Sequence, residues 1–268
     1  MSARLDAAVA ARGLARSRTH AAQLIEAGLV SVDGRPVVKS SAKVGDEQEI
    51  TVAASDHYVS RAAHKLVAAL DAFAVDVAGA LALDMGASTG GFTQVLRERG
   101  AAHVLAVDVG HGQLAPEVAG DPGVTSIEGF NVRHMTPASL AEASGIAEAP
   151  TVVTGDLSFI SLAHVLPAAR SVCASEADLV LLVKPQFEVG RTGVREGLVT
   201  DAGRRADAVA GVLWSAWDAG LGTRGVIASP IAGTHGNLEF VAHFTPGTGD
   251  DTNPTEWLET VNRLAGAA

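Results

Sequence analysis

The 268-residue chain contains one cysteine, one tyrosine and only 4% aromatic residues. Because Cys173 has no second cysteine with which to pair, a disulfide framework within the chain is excluded. The longest apolar run lies near Leu179–Val183 and is far shorter than the roughly 18 residues that a membrane-spanning helix needs. The N-terminal segment carries arginines inside its apolar pattern, which is not typical of a secretory signal peptide. These absences predict a soluble, cytoplasmic protein without stable membrane association.

Hydrophobic residues make up 47% of the chain and are spread along its whole length. This content argues against long disordered regions and is enough for one large domain, or for a large and a small one. Histidines such as His103, His111, His235 and His243 are scattered without the spacing of metal ligands, so no metal site is predicted.

Positive charge is concentrated in the first 43 residues. They hold seven basic and three acidic side chains, a net charge of +4, whereas the whole chain carries −10 and the remainder therefore −14. The acidic total argues against indiscriminate nucleic-acid binding, but a basic N-terminal module can make a local contact with phosphates. Arginines that only keep a small domain soluble would give the same charge, so charge alone leaves both explanations open.

The first 55 residues have the pattern of a small module of helices and a hairpin. Apolar residues at helical spacing, ending at Gly13 and Gly28, predict two helices, and Ser17 can cap the second. LVSVDGRPV predicts two short strands about an Asp33–Gly34 turn, and EITV predicts another strand. The order RLD…G…SR…A..LI..G.V.V.G resembles the S4 RNA-binding domain. That resemblance implies an RNA-facing surface formed by Arg4, Arg16, Arg18 and His20.

The rest of the chain alternates between strand and helix patterns after a junction at 56–60. Strands are predicted at 80–84, 103–108, 151–156, 179–183, 225–229 and 239–244, and helices at 61–72, 92–99, 162–169 and 203–219. This alternation is typical of a parallel sheet covered on both faces. Asn253 and Pro254 predict the start of a last helix, which packs on the body through Trp257, Val261 and Leu264. We therefore expect domains at 1–55 and 61–268.

A glycine-rich turn follows the first of these strands, in LALDMGASTGGFTQVL. Gly86, Gly90 and Gly91 let the backbone pass close to a ligand, and a helix begins at Phe92. Ser88 stands where a dinucleotide fingerprint has its middle glycine, and the turn lacks the lysine of a phosphate loop. The turn therefore does not favour NAD or ATP.

The same turn resembles the S-adenosylmethionine loop of Rossmann-like methyltransferases. Asp108 ends the next strand, 22 residues after Gly86, where a carboxylate can accept hydrogen bonds from both ribose hydroxyls. Asp84 precedes the turn and is expected near the methionine end of the cofactor. An ordinary strand-to-helix turn is the alternative, but turn and acid together favour cofactor binding. The resemblance implies cofactor contacts from Asp84, Gly86, Ala87, Ser88, Gly90, Gly91, Phe92, Asp108 and Asn131.

Four charged residues stand out in the remaining motifs: Lys65 in SRAAHKL, Asp156 in GDLSFIS, Lys184 in LVKPQFEVG and Glu239 in HGNLEF. Asp156 and Lys184 follow apolar runs at the carboxyl ends of strands, the edge at which open α/β sheets bind ligands. Each of the four has a structural alternative, such as covering a helix face, capping a helix or forming a surface ion pair.

The set resembles the Lys-Asp-Lys-Glu tetrad of the FtsJ-type ribose 2′-O-methyltransferases, which implies a catalytic role for Lys65, Asp156, Lys184 and Glu239. With the S4-like module and the motifs in order from residue 4 to 244, the chain is identified as a member of the TlyA (hemolysin A) family of rRNA methyltransferases. The resemblance implies a small α+β S4 domain before a Rossmann-like α/β methyltransferase sheet. It also implies S-adenosyl-L-methionine as cofactor and a cytidine of ribosomal RNA, free or in a ribosomal subunit, as substrate.

Other interpretations remain. A catalytically silent RNA-binding or ribosome-assembly protein would keep the same fold. A hemolysin-like, membrane-active protein would need an amphipathic or spanning segment, and the sequence offers none. An NAD-linked dehydrogenase is disfavoured by the glycine turn. One departure from the family is the linker, where Asp56-His57-Tyr58-Val59 stands in place of an Arg-Ala-Trp type tetrapeptide.

Overall fold

The computed structural model describes residues 2–15, 17–26, 28–52, 57–190, 197–233 and 236–267. The chain forms two compact units, Met1–Arg61 and Ala62–Ala268. The junction predicted at 56–60 includes Asp56, which lies outside the described residues, so the exact domain limits stay a prediction. No helix in the described ranges has the length and apolar character needed to cross a membrane.

The first unit contains two helices and two small antiparallel sheets. The helices are α1 (Leu5–Ala11) and α2 (Arg18–Glu26). The strands are β1 (Ser2–Arg4), β2 (Val30–Val32), β3 (Arg35–Pro36), β4 (Lys43–Gly45) and β5 (Ile50–Val52). Strand β1 pairs with β4, and β2 lies between β3 and β5.

The predicted helix ends and hairpin of this unit are confirmed. Gly13 and Gly28 have positive φ after the two helices, and Ser17 Oγ accepts a hydrogen bond from the backbone N–H of His20. The turn between β2 and β3 has positive φ at Asp33 and Gly34, as a two-residue hairpin requires. Both helices and three strands share one core, made of Leu5, Ala8, Val9, Ala21, Leu24, Ile25, Val30, Val44 and Ile50.

The second unit is built on one seven-stranded sheet. Its strands are β6 (Leu81–Met85), β7 (His103–Val107), β8 (Val124–Ile127), β9 (Val152–Gly155), β10 (Asp178–Val183), β11 (Leu221–Ala228) and β12 (Phe240–Pro246). Their order across the sheet is β11-β12-β10-β9-β6-β7-β8. Strands β6 to β10 run parallel, whereas β12 is antiparallel to β10 and β11.

The α-helices among the described residues of this unit are α3 (Ala63–Phe73), α4 (Gly91–Glu98), α5 (Pro116–Ala119), α6 (Pro137–Ser144), α7 (Leu166–Val172), α8 (Pro185–Glu188), α9 (Ala202–Asp218) and α10 (Leu258–Ala265). They cover both faces of the sheet. Leu83 and Met85 join the core that contains residues of α7 and α9, whereas Asp84, on the other face, contacts Thr93 of α4. The predicted fold class, a small α+β module followed in sequence by a Rossmann-like sheet, is confirmed.

Three details of the sheet differ from the sequence-based prediction. Strand β11 begins at Leu221 rather than at residue 225. The sheet is not wholly parallel, because only residues 229–239 connect β11 to β12, too few for the helical crossover that a parallel pair needs. Strand β8 was not predicted, since VTSI is short and lacks a buried alternating pattern. At the C-terminus, Val261 is buried and Trp257 and Leu264 pack against the same core, as predicted.

Candidate active site

Four charged side chains from separate elements converge at the carboxyl edge of the sheet. Lys65 lies in α3, Asp156 directly follows β9, Lys184 directly follows β10, and Glu239 directly precedes β12. Parallel pairing of β9 with β10 brings Asp156 and Lys184 to the same edge. Because β12 runs antiparallel to β10, its first residue also lies at this edge. Glu239, directly before β12, therefore lies at the same edge as Asp156 and Lys184.

The four side chains form a continuous line of ion pairs. Lys65 Nζ donates a hydrogen bond to Glu239 Oε2 at 2.7 Å and another to Asp156 Oδ2 at 3.4 Å. Lys184 Nζ lies 2.6 Å from Asp156 Oδ1. The contact between Lys184 and Asp156 is an ion pair whose angles do not meet those of a hydrogen bond. The hydrogen bond of Lys184 Nζ goes instead to Ser158 Oγ, at 2.8 Å. Asp156 therefore lies between two ammonium groups, in the order Lys184–Asp156–Lys65–Glu239.

Both lysines of this line are buried, which is unusual for lysine side chains. Lys65 and Lys184 are the only lysines that the sequence contains after residue 43, and they are 6% and 8% exposed. Moving an ammonium or carboxylate out of water costs several kcal/mol per ion, so each buried charge must be matched by an opposite one. Two lysines and two carboxylates balance here. Since buried ion pairs seldom improve stability over apolar packing, the line is better explained as a functional site.

A cavity of about 320 Å³ opens beside Asp156. Its volume is in the range of small-molecule sites in proteins. The lining combines the glycine-rich turn, polar groups and apolar walls, from Gly86, Ser88, Val107, Asp108, Val109, Gln113, Phe130, Val132, Asp156, Leu157, Ser158 and Phe159. The cavity therefore extends from Asp108 to the first carboxylate of the ion-pair line.

The glycine-rich turn is held tightly against the site. Gly86 has a φ of +80°, and a Cβ there would lie 3.0 Å from the Leu157 side chain and 3.2 Å from the carbonyl oxygen of Asp156. Backbone N–H groups of Ser88 and Gly110 donate to the two carboxylate oxygens of Asp108, at 2.9 and 2.7 Å. Asp108 thereby ties the turn to the end of β7 and presents acceptors at the cavity.

Comparison with known proteins agrees with this geometry. The S4 domain model matches residues 3–50, and the FtsJ-like methyltransferase model matches residues 58–245. The chain belongs to the FtsJ-like methyltransferase family. The TlyA protein of Mycobacterium tuberculosis, named a 16S/23S rRNA (cytidine-2′-O)-methyltransferase, is 51% identical over 241 residues, which cover 89% of this chain and 88% of that protein.

Two further relatives cover nearly the whole chain. Hemolysin A of Brachyspira hyodysenteriae is 37% identical over 242 residues, which cover 90% of this chain and 99% of that protein. A solved structure from Streptococcus thermophilus, also named as a hemolysin, is 35% identical with a TM-score of 0.74, and the match covers 98% of this chain and 96% of that one. The predicted membership of the TlyA group of FtsJ-like methyltransferases is confirmed.

Methyltransferases of this family and fold depend on S-adenosylmethionine, and the lining of the cavity suits that cofactor. Asp108 offers carboxylate acceptors for ribose hydroxyls, and Phe130 and Val132 offer apolar walls for a flat base. Ser88 and Gly86 also line the cavity, so the turn lies where the sequence predicts a cofactor contact.

Five more predicted cofactor residues of the methyltransferase unit lie close in sequence to residues of this cavity but are not part of its lining. Ala87 lines a small recess next to Ser88 and Asp108, and Gly90, Gly91 and Phe92 are buried at the start of α4. Asn131 is exposed between two cavity residues, and its side chain accepts a hydrogen bond from the backbone N–H of Arg133. Their contacts with cofactor stay predictions.

Asp84 has a different setting, because it is completely buried and does not line the cavity. Its carboxylate accepts hydrogen bonds from Thr93 Oγ1 at 2.7 Å and Thr154 Oγ1 at 3.1 Å. Burial raises the pKa of Asp84 to about 6, and the two threonine bonds oppose that rise. Through these two hydrogen bonds Asp84 links α4, which follows the glycine-rich turn, to β9, which ends directly before Asp156.

Sequence reasoning missed Ser158, Gln113, Phe130 and Phe159. Phe159 is 91% exposed and adopts a φ of +64°, which a bulky side chain rarely takes. Its ring lies 5.3 Å from that of Phe187, centre to centre. The DLSFIS motif contains Phe159, but a sequence motif does not indicate how exposed a side chain is or which backbone conformation it adopts.

Of the four residues that the sequence predicts at an RNA-facing surface of the first unit, Arg4 and Arg18 lie close together. Arg4 and Arg18 both bind the carboxylate of Asp6, and His20 lies in the same helix as Arg18. Arg16 lies outside the described residues. In the ranges that the structure describes, no group of three or more His, Cys, Asp or Glu side chains could hold a metal ion.

The raised pKa of Asp84 predicts a specific pH dependence of stability. In the unfolded chain this carboxyl ionises near pH 4, so between about pH 4 and 6 the folded state binds more protons, and stability falls as the pH rises. Asp84→Asn keeps a hydrogen-bonding amide without the charge. We expect the variant to gain stability relative to wild type, on the order of 2 kcal/mol, between pH 4 and pH 7.

Thermal unfolding of both proteins at pH 4 and pH 7 checks this expectation. The difference in melting temperature should shift in favour of the variant at the higher pH. An equal difference at both values would show that the Asp84 carboxyl titrates normally.

Proposed function

We propose that this protein is an S-adenosylmethionine-dependent methyltransferase that modifies the ribose 2′-hydroxyl of cytidine in ribosomal RNA. The observation that carries this proposal is the buried line Lys184–Asp156–Lys65–Glu239 beside a cavity lined by the glycine-rich turn. The name of the 51% identical M. tuberculosis relative supports the choice of rRNA and of cytidine.

The substrate defines what the protein must supply. A ribose 2′-hydroxyl is a weak nucleophile because it is barely ionised at neutral pH. The cofactor supplies a methyl group that is already activated on a sulfonium centre. The side chains therefore have to align the hydroxyl oxygen and help its proton leave.

Lys184 is the group that we assign to the hydroxyl. It accepts the proton as a neutral amine, or it stabilises the developing negative charge as a cation. Asp156 Oδ1 and Ser158 Oγ fix the direction of its Nζ, and both residues line the cavity. Lys65 holds the other oxygen of Asp156 and is itself fixed by Glu239, so the whole line is preorganised before substrate arrives.

Phe159 is suited to hold the base of the target nucleotide. Its exposed ring adjoins Ser158, the partner of Lys184, at the edge of the cavity. Unstacked RNA bases stack on aromatic side chains, so an exposed ring at this place can hold the base of a nucleotide whose ribose reaches the site. The strained φ of Phe159 is then retained because it presents the ring, as strained residues at functional sites often do.

Replacing Lys184 tests the assigned chemistry. Lys184→Ala removes the group at the hydroxyl, so we expect methyl transfer to rRNA to fall below one-thousandth of wild type while cofactor affinity stays within a few fold. Turnover with labelled cofactor and calorimetric titration of the cofactor measure the two quantities. Undiminished turnover would refute the assignment.

Lys184→Arg then separates the two roles of the lysine, because a guanidinium stays protonated and cannot act as a base. Residual activity well above that of Lys184→Ala would favour charge stabilisation. Activity equal to that of the alanine variant would favour proton acceptance.

Phe159→Ala tests the stacking role. Loss of one base–aromatic contact, worth about 1–3 kcal/mol, predicts a drop in kcat/KM for rRNA of roughly 5- to 150-fold. Phe159→Tyr keeps an aromatic face and should retain most of the activity. Because the ring is exposed, both variants should melt close to wild type. Equal activity of the alanine variant and wild type would exclude stacking on this ring.

A further inference from the structure

One buried carboxylate organises the basic surface of the first unit. Asp6, in the first turn of α1, is 5% exposed. Arg4 donates from Nε to Oδ1 at 3.0 Å and from Nη2 to Oδ2 at 2.9 Å, and Arg18 donates from Nε to the same Oδ2 at 3.1 Å. The backbone N–H of Ala7 completes the set at Oδ1. These bonds, that of Arg4 foremost, hold the pKa of Asp6 well below its usual range.

The two guanidinium groups are held in place while remaining accessible to solvent. The side chains of Arg4 and Arg18 are about half exposed, whereas that of Asp6 is covered. In the part of the chain that the structure describes, neither arginine uses its Nη1 for a protein acceptor. Each therefore keeps donors for a ligand outside the protein, in a planar fork that matches phosphate.

A third cation adjoins this pair. Lys43 of β4 lies directly opposite Arg4 of β1 in the antiparallel register, so both side chains project from the same face. Like charges in that position are destabilising, and Asp6 offsets only one of three positive charges. An arrangement that opposes stability in this way is typical of a surface that binds a negatively charged ligand.

Arg12 shows that not every basic residue of the unit serves this surface. Its guanidinium donates to the backbone carbonyls of Gln48, Gly45 and Asp46, at 2.7, 3.1 and 3.1 Å. It therefore ties α1 to the turn between β4 and β5. The structure thus separates a structural arginine from two arginines that share a carboxylate.

We propose that Asp6 is a positioning residue of the RNA interface, which holds Arg4 and Arg18 as a preorganised pair that binds the phosphodiester backbone of the RNA substrate. The proposal rests on the proposed function, because it takes RNA as the substrate. Holding both side chains before binding reduces the entropy lost when the complex forms.

Asp6→Asn in the full-length protein gives opposite predictions for a positioning role and for simple charge neutralisation. The variant gains one unit of positive charge, which by itself would tighten binding to phosphates and steepen the salt dependence. A positioning role predicts instead that the Kd for purified 16S and 23S rRNA rises about 5- to 20-fold. In the methylation assay the effect should fall on KM for rRNA rather than on kcat.

Glu47→Gln is the matched control. Glu47 is exposed in the turn between β4 and β5, and its replacement makes the same change in charge without touching Asp6. We expect this variant to bind rRNA as tightly as wild type or slightly more tightly. Binding by Asp6→Asn that is equal to or tighter than that of wild type would overturn the positioning role.

Arg18→Lys keeps the proposal testable if Asp6→Asn fails to fold, as judged by circular dichroism and thermal melting. It preserves the charge but removes the fork, so a positioning role predicts weaker rRNA binding, and wild-type affinity would overturn it. Failure of the proposed function would look different, because wild-type protein itself would then methylate neither rRNA, whereas the comparison of Kd values would still test the positioning role wherever wild-type protein binds.

Discussion

Asp156 lies between the ammonium groups of the two lysines of the methyltransferase unit, and this contact constrains much of the structure around it. Neither lysine could be buried without a carboxylate, so the elements that carry them must meet at one edge of the sheet. Lys65 arrives on α3 and Lys184 at the end of β10. Glu239 completes the balance because β12 runs antiparallel to its neighbours.

The same edge explains why the cavity lined by the glycine-rich turn adjoins the ion-pair line. Strands β6 and β9 pair in parallel, so the glycine-rich turn after β6 and Asp156 after β9 emerge side by side. Gly86 lets them approach closely, since a Cβ there would lie against Leu157 and the Asp156 backbone. Asp84 also links this region, because its carboxylate accepts hydrogen bonds from Thr93 of α4 and Thr154 of β9. Sheet topology therefore brings the cavity lined by the glycine-rich turn next to the lysine that we assign to the substrate hydroxyl.

Sequence reasoning predicted the fold class and most strands, because apolar periodicity is a local signal, and the resemblance to the FtsJ-type tetrad singled out the four charged residues. It did not predict the pairing of Lys65 with Glu239, since these residues are 174 positions apart and meet only through tertiary packing. For the same reason, the sequence did not predict the antiparallel direction of β12, the backbone strain at Phe159 or the role of Asp6. In the basic module, charge counting treated Arg12 and Arg18 alike, although one binds backbone carbonyls and the other a buried carboxylate.

Identification of the methylated nucleoside tests the central claim most directly. Purified ribosomal subunits and naked 16S and 23S rRNA would be incubated with methyl-labelled S-adenosylmethionine and the protein, then digested to nucleosides. The geometry of the ion-pair line predicts label in a 2′-O-methyl nucleoside, and the name of the M. tuberculosis relative points to cytidine as that nucleoside. Label on a base would contradict the assignment of the ion-pair line to a ribose hydroxyl. The absence of label from every RNA, with cofactor binding demonstrated, would contradict the proposed reaction.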